Sequence, residues 1–158
     1  MKLRTSLLFC MTADKERPCS TFAVTSAKPA EGKSLTAANI AISYAMLGKR
    51  VLLVDADMRK AGQRSLWSVR SSAGLCDFLA KISRLEPVKV TDLPLWIVCT
   101  GTIPPNPSEL LSSERMMHFV ADSAGTYDYV IIDTPPINTV ADAQIVSTYV
   151  DGVVLVTR

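Results

Sequence analysis

Gly32-Lys33-Ser34 follows the apolar run Phe22-Ala23-Val24-Thr25 and opens a stretch rich in alanine and leucine. A glycine, a cation and a hydroxyl set between a strand and a helix suit a phosphate. Successive loop N–H groups point at the anion, the helix start adds partial positive charge, and the lysine supplies a full one. In that reading Lys33 contacts the β and γ phosphates of a nucleotide and the Ser34 hydroxyl ligates Mg²⁺. The strict pattern G-x-x-x-x-G-K-[ST] fails at its first glycine, where Ala27 stands. A strand-to-helix turn with a solvated lysine is the bland alternative for the triplet alone.

Two acidic motifs fall where a phosphate site needs them. The run Val51-Leu52-Leu53-Val54 ends in Asp55-Ala56-Asp57, and residues i and i+2 of a strand project to one side, so both carboxylates can face one metal–phosphate centre. Later, Val130-Ile131-Ile132 ends in Asp133, and Thr134-Pro135-Pro136 then forces the chain out of the sheet. Taken singly, an aspartate is more often a helix cap or a solvated loop charge. Three acids at the ends of buried runs are harder to explain that way. Two carboxylates about 4 Å apart repel by roughly 4 kcal/mol at an effective dielectric of about 20 unless a cation such as Mg²⁺ neutralises them.

The rest of the chain must bring these motifs to one edge. Apolar runs of strand length at 21–25, 51–54, 95–99, 129–132 and 152–156 alternate with helical stretches, and unbroken apolar runs mark strands buried on both faces of a parallel sheet. The pattern predicts an α/β fold with a doubly wound, mainly parallel sheet, whose ligands bind outside the carboxyl ends of the strands. Helices are predicted over 34–47, stopped by Gly48 in a left-handed cap, and over 75–82. Another starts at Asn106-Pro107-Ser108-Glu109, with Asn106 as cap and Glu109 reaching back to the cap amide; it breaks at Ser112-Ser113 and resumes towards Ala121. The last spans 141–149. A short helix over 3–11 and a polar connection from Asp14 to Pro18 precede the core.

Composition narrows the function class. With 158 residues, 48% hydrophobic and 20% charged, the chain is too apolar to be disordered and reads as a single domain. Its net charge of +2 is too small to argue for nucleic acid or an anionic membrane, and no nucleic-acid partner is expected. No apolar run approaches the ~18 residues of a membrane span, so the mean hydropathy of +0.22 reflects a buried sheet. Cysteines 10, 19, 76 and 99 form no C-x-x-C pair, and one histidine leaves little for zinc. The start MKLRTSLLFCMTA imitates a secretory signal, but bulky Phe9 beside Cys10 argues against cleavage there.

The ordered set of motifs resembles the bacterial tyrosine kinases of capsular and exopolysaccharide assembly, autokinases with a fold of the P-loop NTPase type, unrelated to eukaryotic kinases. The resemblance runs from Leu3 to Arg158. It rests on Ser26-Ala27-Lys28-Pro29-Ala30-Glu31-Gly32-Lys33-Ser34, on Val51 to Arg59 (VLLVDADMR) and on Val130 to Asp133. Gly101 to Leu111 (GTIPPNPSELL) and Val140-Ala141-Asp142-Ala143 also resemble the family. It implies ATP and Mg²⁺ as cofactors and phosphoryl transfer to tyrosine. It also implies control of polysaccharide chain length through an integral membrane partner that activates the kinase, hence a cytoplasmic location at the inner face of the cell membrane, and a homo-oligomer for the full-length protein.

Carried over residue by residue, Lys28, Pro29, Ala30, Glu31, Gly32, Lys33, Ser34 and Leu35 wrap the nucleotide, with Lys33 on the phosphates. Ser34 and Asp133 hold the magnesium, Asp55 and Asp57 serve the acceptor hydroxyl and the metal, and Arg59 completes the acidic motif. Ala30 replaces the usual glycine before Glu31, a change expected to tilt loop amides. Of the family's E-x-x-R-x-x-R oligomerisation motif only Arg4 remains, with Met1 at its middle position. Residues 1–20 are therefore expected to be an N-terminal helix and linker, and 21–158 a kinase catalytic domain lacking its C-terminal end, with the tyrosine-rich tail beyond Arg158.

Two other readings fit parts of the pattern. In partitioning or cell-division-site ATPases of the same superfamily a lysine early in the loop reaches across a dimer, and Lys28 occupies that position. Alternatively the chain is a non-catalytic nucleotide-binding module, whose residues Arg59, Lys60, Arg64 and Arg70 dock an acidic segment; such a run is more often a solvated loop. Tyr44, Tyr127, Tyr129 and Tyr149 read as packing residues rather than phosphoacceptors, His118 as an ordinary helix residue, and Trp67 and Trp96 as packing.

Overall fold

Every apolar run of strand length becomes a strand of one sheet, but the last, expected to be buried on both faces, lies at the sheet edge and leaves Val153 and Leu155 exposed. In the computed structural model, which describes residues 20–71 and 73–157, the strands are β1 (Thr21–Ser26), β2 (Val51–Asp55), β3 (Val88–Lys89), β4 (Leu95–Val98), β5 (Tyr129–Asp133) and β6 (Gly152–Val156). Their order is β3-β4-β2-β5-β1-β6. All neighbours are parallel except β3 and β4. The expected helix over 3–11, the connection after it, Cys10 and Cys19 lie outside the described residues.

Alternation along the central strands sends side chains to two faces, and helices cover both. Phe22, Val24, Val51, Leu53 and Ile131 meet α1 (Lys33–Ala45), whose Ala37, Ala38, Ala41 and Ala45 let the helix lie close to the sheet. Tyr44 of that helix stacks on Tyr129 with ring centroids 4.1 Å apart. On the other face Ala23, Leu52, Val54, Val130 and Ile132 pack against α3 (Leu75–Leu79), α4 (Pro107–Leu111), α5 (Glu114–Thr126) and α6 (Asp142–Ser147). Each fully buried Leu, Ile or Phe contributes about 1.5–3 kcal/mol, so this two-sided burial holds the strand ends in place. The sheet is doubly wound and mainly parallel, as the sequence predicts. Among the described residues no helix is long and apolar enough to cross a membrane.

Several local expectations need correction. Gly48 adopts φ 78, as a left-handed stop requires, but α1 ends at Ala45. Asn106 does not cap α4; its amide donates to the Glu109 carboxylate at 3.0 Å, and the five-residue helix has no side-chain cap. Ser113 caps instead, accepting the Met116 amide at 3.2 Å, and α5 runs on to Thr126 because Phe119, Val120 and Ser123 continue its buried face. Strand β3 was not expected at all. The segment read as a solvated basic loop contains α2 (Gln63–Trp67), and its first residue is fully buried.

Candidate functional site

Strands β1, β2 and β5 end at the same sheet edge, and register makes the convergence quantitative. Asp55 lies opposite Asp133 across the β2–β5 pair, and Asp133 lies opposite Val24 across the β5–β1 pair. Past Val24, the loop from Ser26 turns back over this edge. The Ser26 hydroxyl donates to the Lys28 carbonyl at 2.7 Å, and the Lys28 amide donates to the Glu31 carboxylate at 2.8 Å. Ala30 and Gly32 both take left-handed backbones, at φ 62 and φ 81. These turns deliver the chain to α1 with no capping side chain and no acid in its first turn, so the partial positive charge of a 13-residue helix is left for an anion.

Lys33 folds across the strand ends. Its ammonium donates to Asp57 Oδ2 at 2.8 Å, to Asp133 Oδ1 at 3.2 Å and to Ser34 Oγ at 3.2 Å. Burial pulls its pKa down, but Asp133 and then Asp57 outweigh that and hold it above the ordinary lysine value. Lys33 makes no ion pair with Asp55. The Asp55 carboxylate is fully buried and accepts the amides of Gln63 at 3.0 Å and Asp57 at 3.2 Å. Burial, then the negative charge of Asp133, push its pKa up to about 7 against those two amide bonds. The two acids of the motif are thus unequal: one pairs with the lysine and the other braces the backbone.

Arg59 makes its side-chain bonds to residues of α4 and α6. Its guanidinium donates to buried Asp142 at 3.2 and 3.5 Å, and the Ser108 hydroxyl donates to the same carboxylate at 2.5 Å. The acidic motif is thereby tied to α4 and α6, which carry the two outlying stretches of the resemblance.

Gln63 and Gly62 escaped the sequence reading. The Gln63 side-chain amide donates to Asp133 Oδ2 at 3.0 Å and to the Ser34 carbonyl at 2.9 Å. A Cβ on Gly62 would come within 3.2 Å of Ser34 Oγ. No local signal marks either residue: Gln63 meets Ser34 and Asp133 at separations of 29 and 70 residues.

Lys33, Ser34 and Asp57 border a concavity of about 460 Å³, together with Pro29, Gly32 and Pro135. Ala30, Leu35 and Arg59 also line it. Space extends from the loop itself, since nothing lies within 4 Å of a Cβ built on Gly32. Helix dipole, ammonium, hydroxyl and carboxylates fit a nucleotide phosphate with Mg²⁺. Among the described residues no group of three His, Cys, Asp or Glu could hold a metal. Magnesium takes one or two protein ligands and completes its shell with phosphates and water. A larger concavity of about 620 Å³, beside Phe78, Arg115 and His118, lies at none of the three strand ends.

The tyrosines are built into the fold. Tyr44 is fully buried, Tyr127 packs edge-on to Trp96, and the Tyr149 hydroxyl donates to the Leu111 carbonyl at 2.9 Å. His118 is exposed on α5. Trp67 does more than pack, because its indole N–H donates to Gln63 Oε1 at 3.1 Å.

Residues 19–157 match a family model described as an AAA domain. The chain is 44% identical over 156 residues to Tyrosine-protein kinase YwqD of Bacillus subtilis, covering 98% of this chain and 65% of that protein. It is 36% identical to the putative tyrosine-protein kinase CapB of Staphylococcus aureus, covering 98% of this chain and 67% of that protein. The chain therefore spans about two thirds of the length of these relatives. The kinase domain of Escherichia coli tyrosine kinase ETK superposes with a TM-score of 0.92 at 34% identity, covering 99% of this chain and 61% of that one. The septum site-determining protein MinD of Pyrococcus horikoshii, at 23% identity and a TM-score of 0.74, shares the fold alone. With its P-loop fold and this set of relatives, the chain belongs to the AAA-domain family and, within it, to the bacterial tyrosine-protein kinases.

Proposed function

We propose that the chain is the nucleotide-binding part of an ATP-dependent protein-tyrosine autokinase that regulates capsular or exopolysaccharide synthesis and chain length. The observation that carries this reading is the Lys33 ammonium, held between Asp57 and Asp133 at the uncapped start of α1. When bound, ATP with Mg²⁺ supplies the transferable phosphoryl group and a divalent charge that balances it. Lys33, kept protonated by its acidic neighbours, neutralises phosphate charge. Ser34 Oγ and Asp133 hold the metal, with Asp55 as a further candidate, while residues 28–35 wrap the phosphates.

Phosphoryl transfer passes through a loose transition state, so positioning and charge balance outweigh proton removal. A tyrosine hydroxyl still benefits from an acceptor carboxylate, and the family resemblance assigns that role to the pair Asp55 and Asp57. Asp55, whose pKa burial and the Asp133 charge push up to about 7, is the member of the pair assigned to the proton. Arg59 supports this pair by anchoring the motif to Asp142. An integral membrane activator, a location at the inner face of the cell membrane and homo-oligomerisation complete the reading, on the strength of the family resemblance.

The test uses a chain carried to the length of its relatives, supplied with ATP, Mg²⁺ and an activating partner segment, with phosphotyrosine as the readout. Transfer is expected, with Asp55→Ala lowering it by ~10²-fold or more and Lys28→Ala changing it little. Hydrolysis without phosphotyrosine, falling ~10³-fold in Lys28→Ala, would establish a partitioning-type ATPase instead.

A further inference from the structure

Gln63 is a fully buried polar residue at the start of a five-residue helix, and both ends of its side-chain amide and its backbone N–H are engaged. Indole N–H only donates, so the atom it meets on Gln63 is the oxygen, and the amide nitrogen must face the site. That nitrogen has two hydrogens and two acceptors, Asp133 Oδ2 and the Ser34 carbonyl. The backbone N–H of the same residue takes Asp55 Oδ2. Asp133 is then held at both oxygens, by Lys33 on one and Gln63 on the other. One residue joins the serine of the phosphate loop to the carboxylates that end β2 and β5.

We propose that Gln63 is a positioning residue of the magnesium centre, fixing the Asp133 carboxylate and the start of α1 relative to each other, and that Trp67 locks its amide in the working orientation. The inference rests on the nucleotide–magnesium reading of the site and extends it to a helix that carries no recognisable motif. Partners behind a metal ligand orient it, and their loss commonly lowers metal affinity by roughly 10–100-fold. Loss of the Gln63 amide would deprive Asp133 Oδ2 and the Trp67 indole of these partners. Residues that hold a metal ligand matter most when the metal is present, which gives the role a signature distinct from packing.

The experiment measures ADP affinity of the chain by calorimetry, once with Mg²⁺ and once with EDTA, and compares the magnesium-dependent gain. In Gln63→Met, which keeps length and apolar volume but loses the amide, the gain is expected to fall about tenfold or more, while affinity in EDTA changes little. Trp67→Phe, which keeps a ring but removes the locking donor, is expected to give a smaller fall in the same quantity, and it carries the test if Gln63→Met does not fold. In a Trp96→Phe background, Trp67 is the only indole, and its emission is expected to respond to Mg²⁺–ADP but not to ADP in EDTA. An unchanged magnesium gain in the variants would overturn the proposal and leave Gln63 as a packing residue of α2. Absence of ADP binding by the unsubstituted chain would instead overturn the nucleotide site itself, and the proposal with it.

Discussion

The connection from β1 to α1 and the connection from β2 to α2 leave the same edge of the sheet and end at the same carboxylates, yet they are built differently. The first works through residues adjacent in sequence. Its glycine, lysine and hydroxyl are consecutive, its turn is made by its own backbone at Ala30 and Gly32, and its helix is long. The second works through residues brought together by the fold. Its helix has five residues and no side-chain cap, and its contacts with Ser34, Asp133 and Asp142 are all long-range. A phosphate is recognised by a short run of backbone amides, so that chemistry is compact along the chain. A carboxylate is aimed by whatever packs behind it, and that can come from anywhere.

The sharpest way to break the comparison is to remove the one group both connections share. Lys33→Met deletes the charge expected on the phosphates and leaves Asp57 and Asp133 without their cation. Loss of a charge-assisted phosphate contact of ~3 kcal/mol is expected in calorimetry with Mg²⁺–ADP. The sequence alone suggests that the fold would not notice this change. Its ion pairs suggest otherwise: breaking a buried pair by removing one partner costs about 3–5 kcal/mol, and Lys33 with 11% side-chain exposure should lie at or below the low end. Unchanged nucleotide affinity would remove the phosphate-site assignment.

That correction shows what was legible in the residues. β1, β2, β4 and β5 follow from unbroken apolar runs, because burial on both faces leaves no alternation to misread, and Asp55 and Asp133 mark the ends of β2 and β5. Lys33 itself was legible, but its resting partners were not, since a spacing of 24 or 100 residues carries no periodic signal. Asp55 and Asp57 illustrate the same limit. Strand geometry places both on one side, but it cannot tell that Asp55 would be taken up by the amides of Gln63 and Asp57. Strand β3 was invisible because two residues pairing antiparallel with β4 owe their conformation to that neighbour. Asn106 misled because a cap-like residue also bonds its own Glu109 when the helix is short.

A second experiment sharpens the contrast within the acidic motif through pH. Asp55 gives up its proton near 3.8 when unfolded and at about 7 when folded. Between those values the folded state holds the extra proton, so its stability contribution is complete below about pH 4 and is lost as pH rises through 7. Other groups with shifted values titrate outside that window: Asp77 lies below the ordinary aspartate value, Lys33 above the ordinary lysine value, and Cys99 and Cys76 at about 11 and 12. Thermal or urea unfolding of the unsubstituted chain should therefore lose roughly 2 kcal/mol from about pH 5 to pH 8, relative to Asp55→Asn measured over the same range. Parallel curves for the two proteins would mean that Asp55 is ionised throughout, and the proton-acceptor role would fall to Asp57.

The smallest effect concerns the loop whose chemistry is most legible. Ala30 stands where the family resemblance puts glycine, and its backbone takes the left-handed region at φ 62 with a Cβ in place. A Cβ in that region costs about 1–2 kcal/mol. Ala30→Gly relieves that strain in the folded chain but gives the unfolded chain more freedom, which costs ~0.4–1 kcal/mol. The two terms oppose, so a net stabilisation of about 0.5 kcal/mol is expected in urea unfolding, with Mg²⁺–ADP affinity little changed. Gly32→Ala supplies the control at φ 81, where a Cβ meets nothing within 4 Å and introduces the same backbone strain. There the strain and the entropy gain again oppose, but in the reverse sense, and a loss of similar size should follow. Should Ala30→Gly destabilise by ~1 kcal/mol or more, Ala30 would not hold a left-handed turn in solution, and the loop would position its amides by a route other than paired turns at residues 30 and 32.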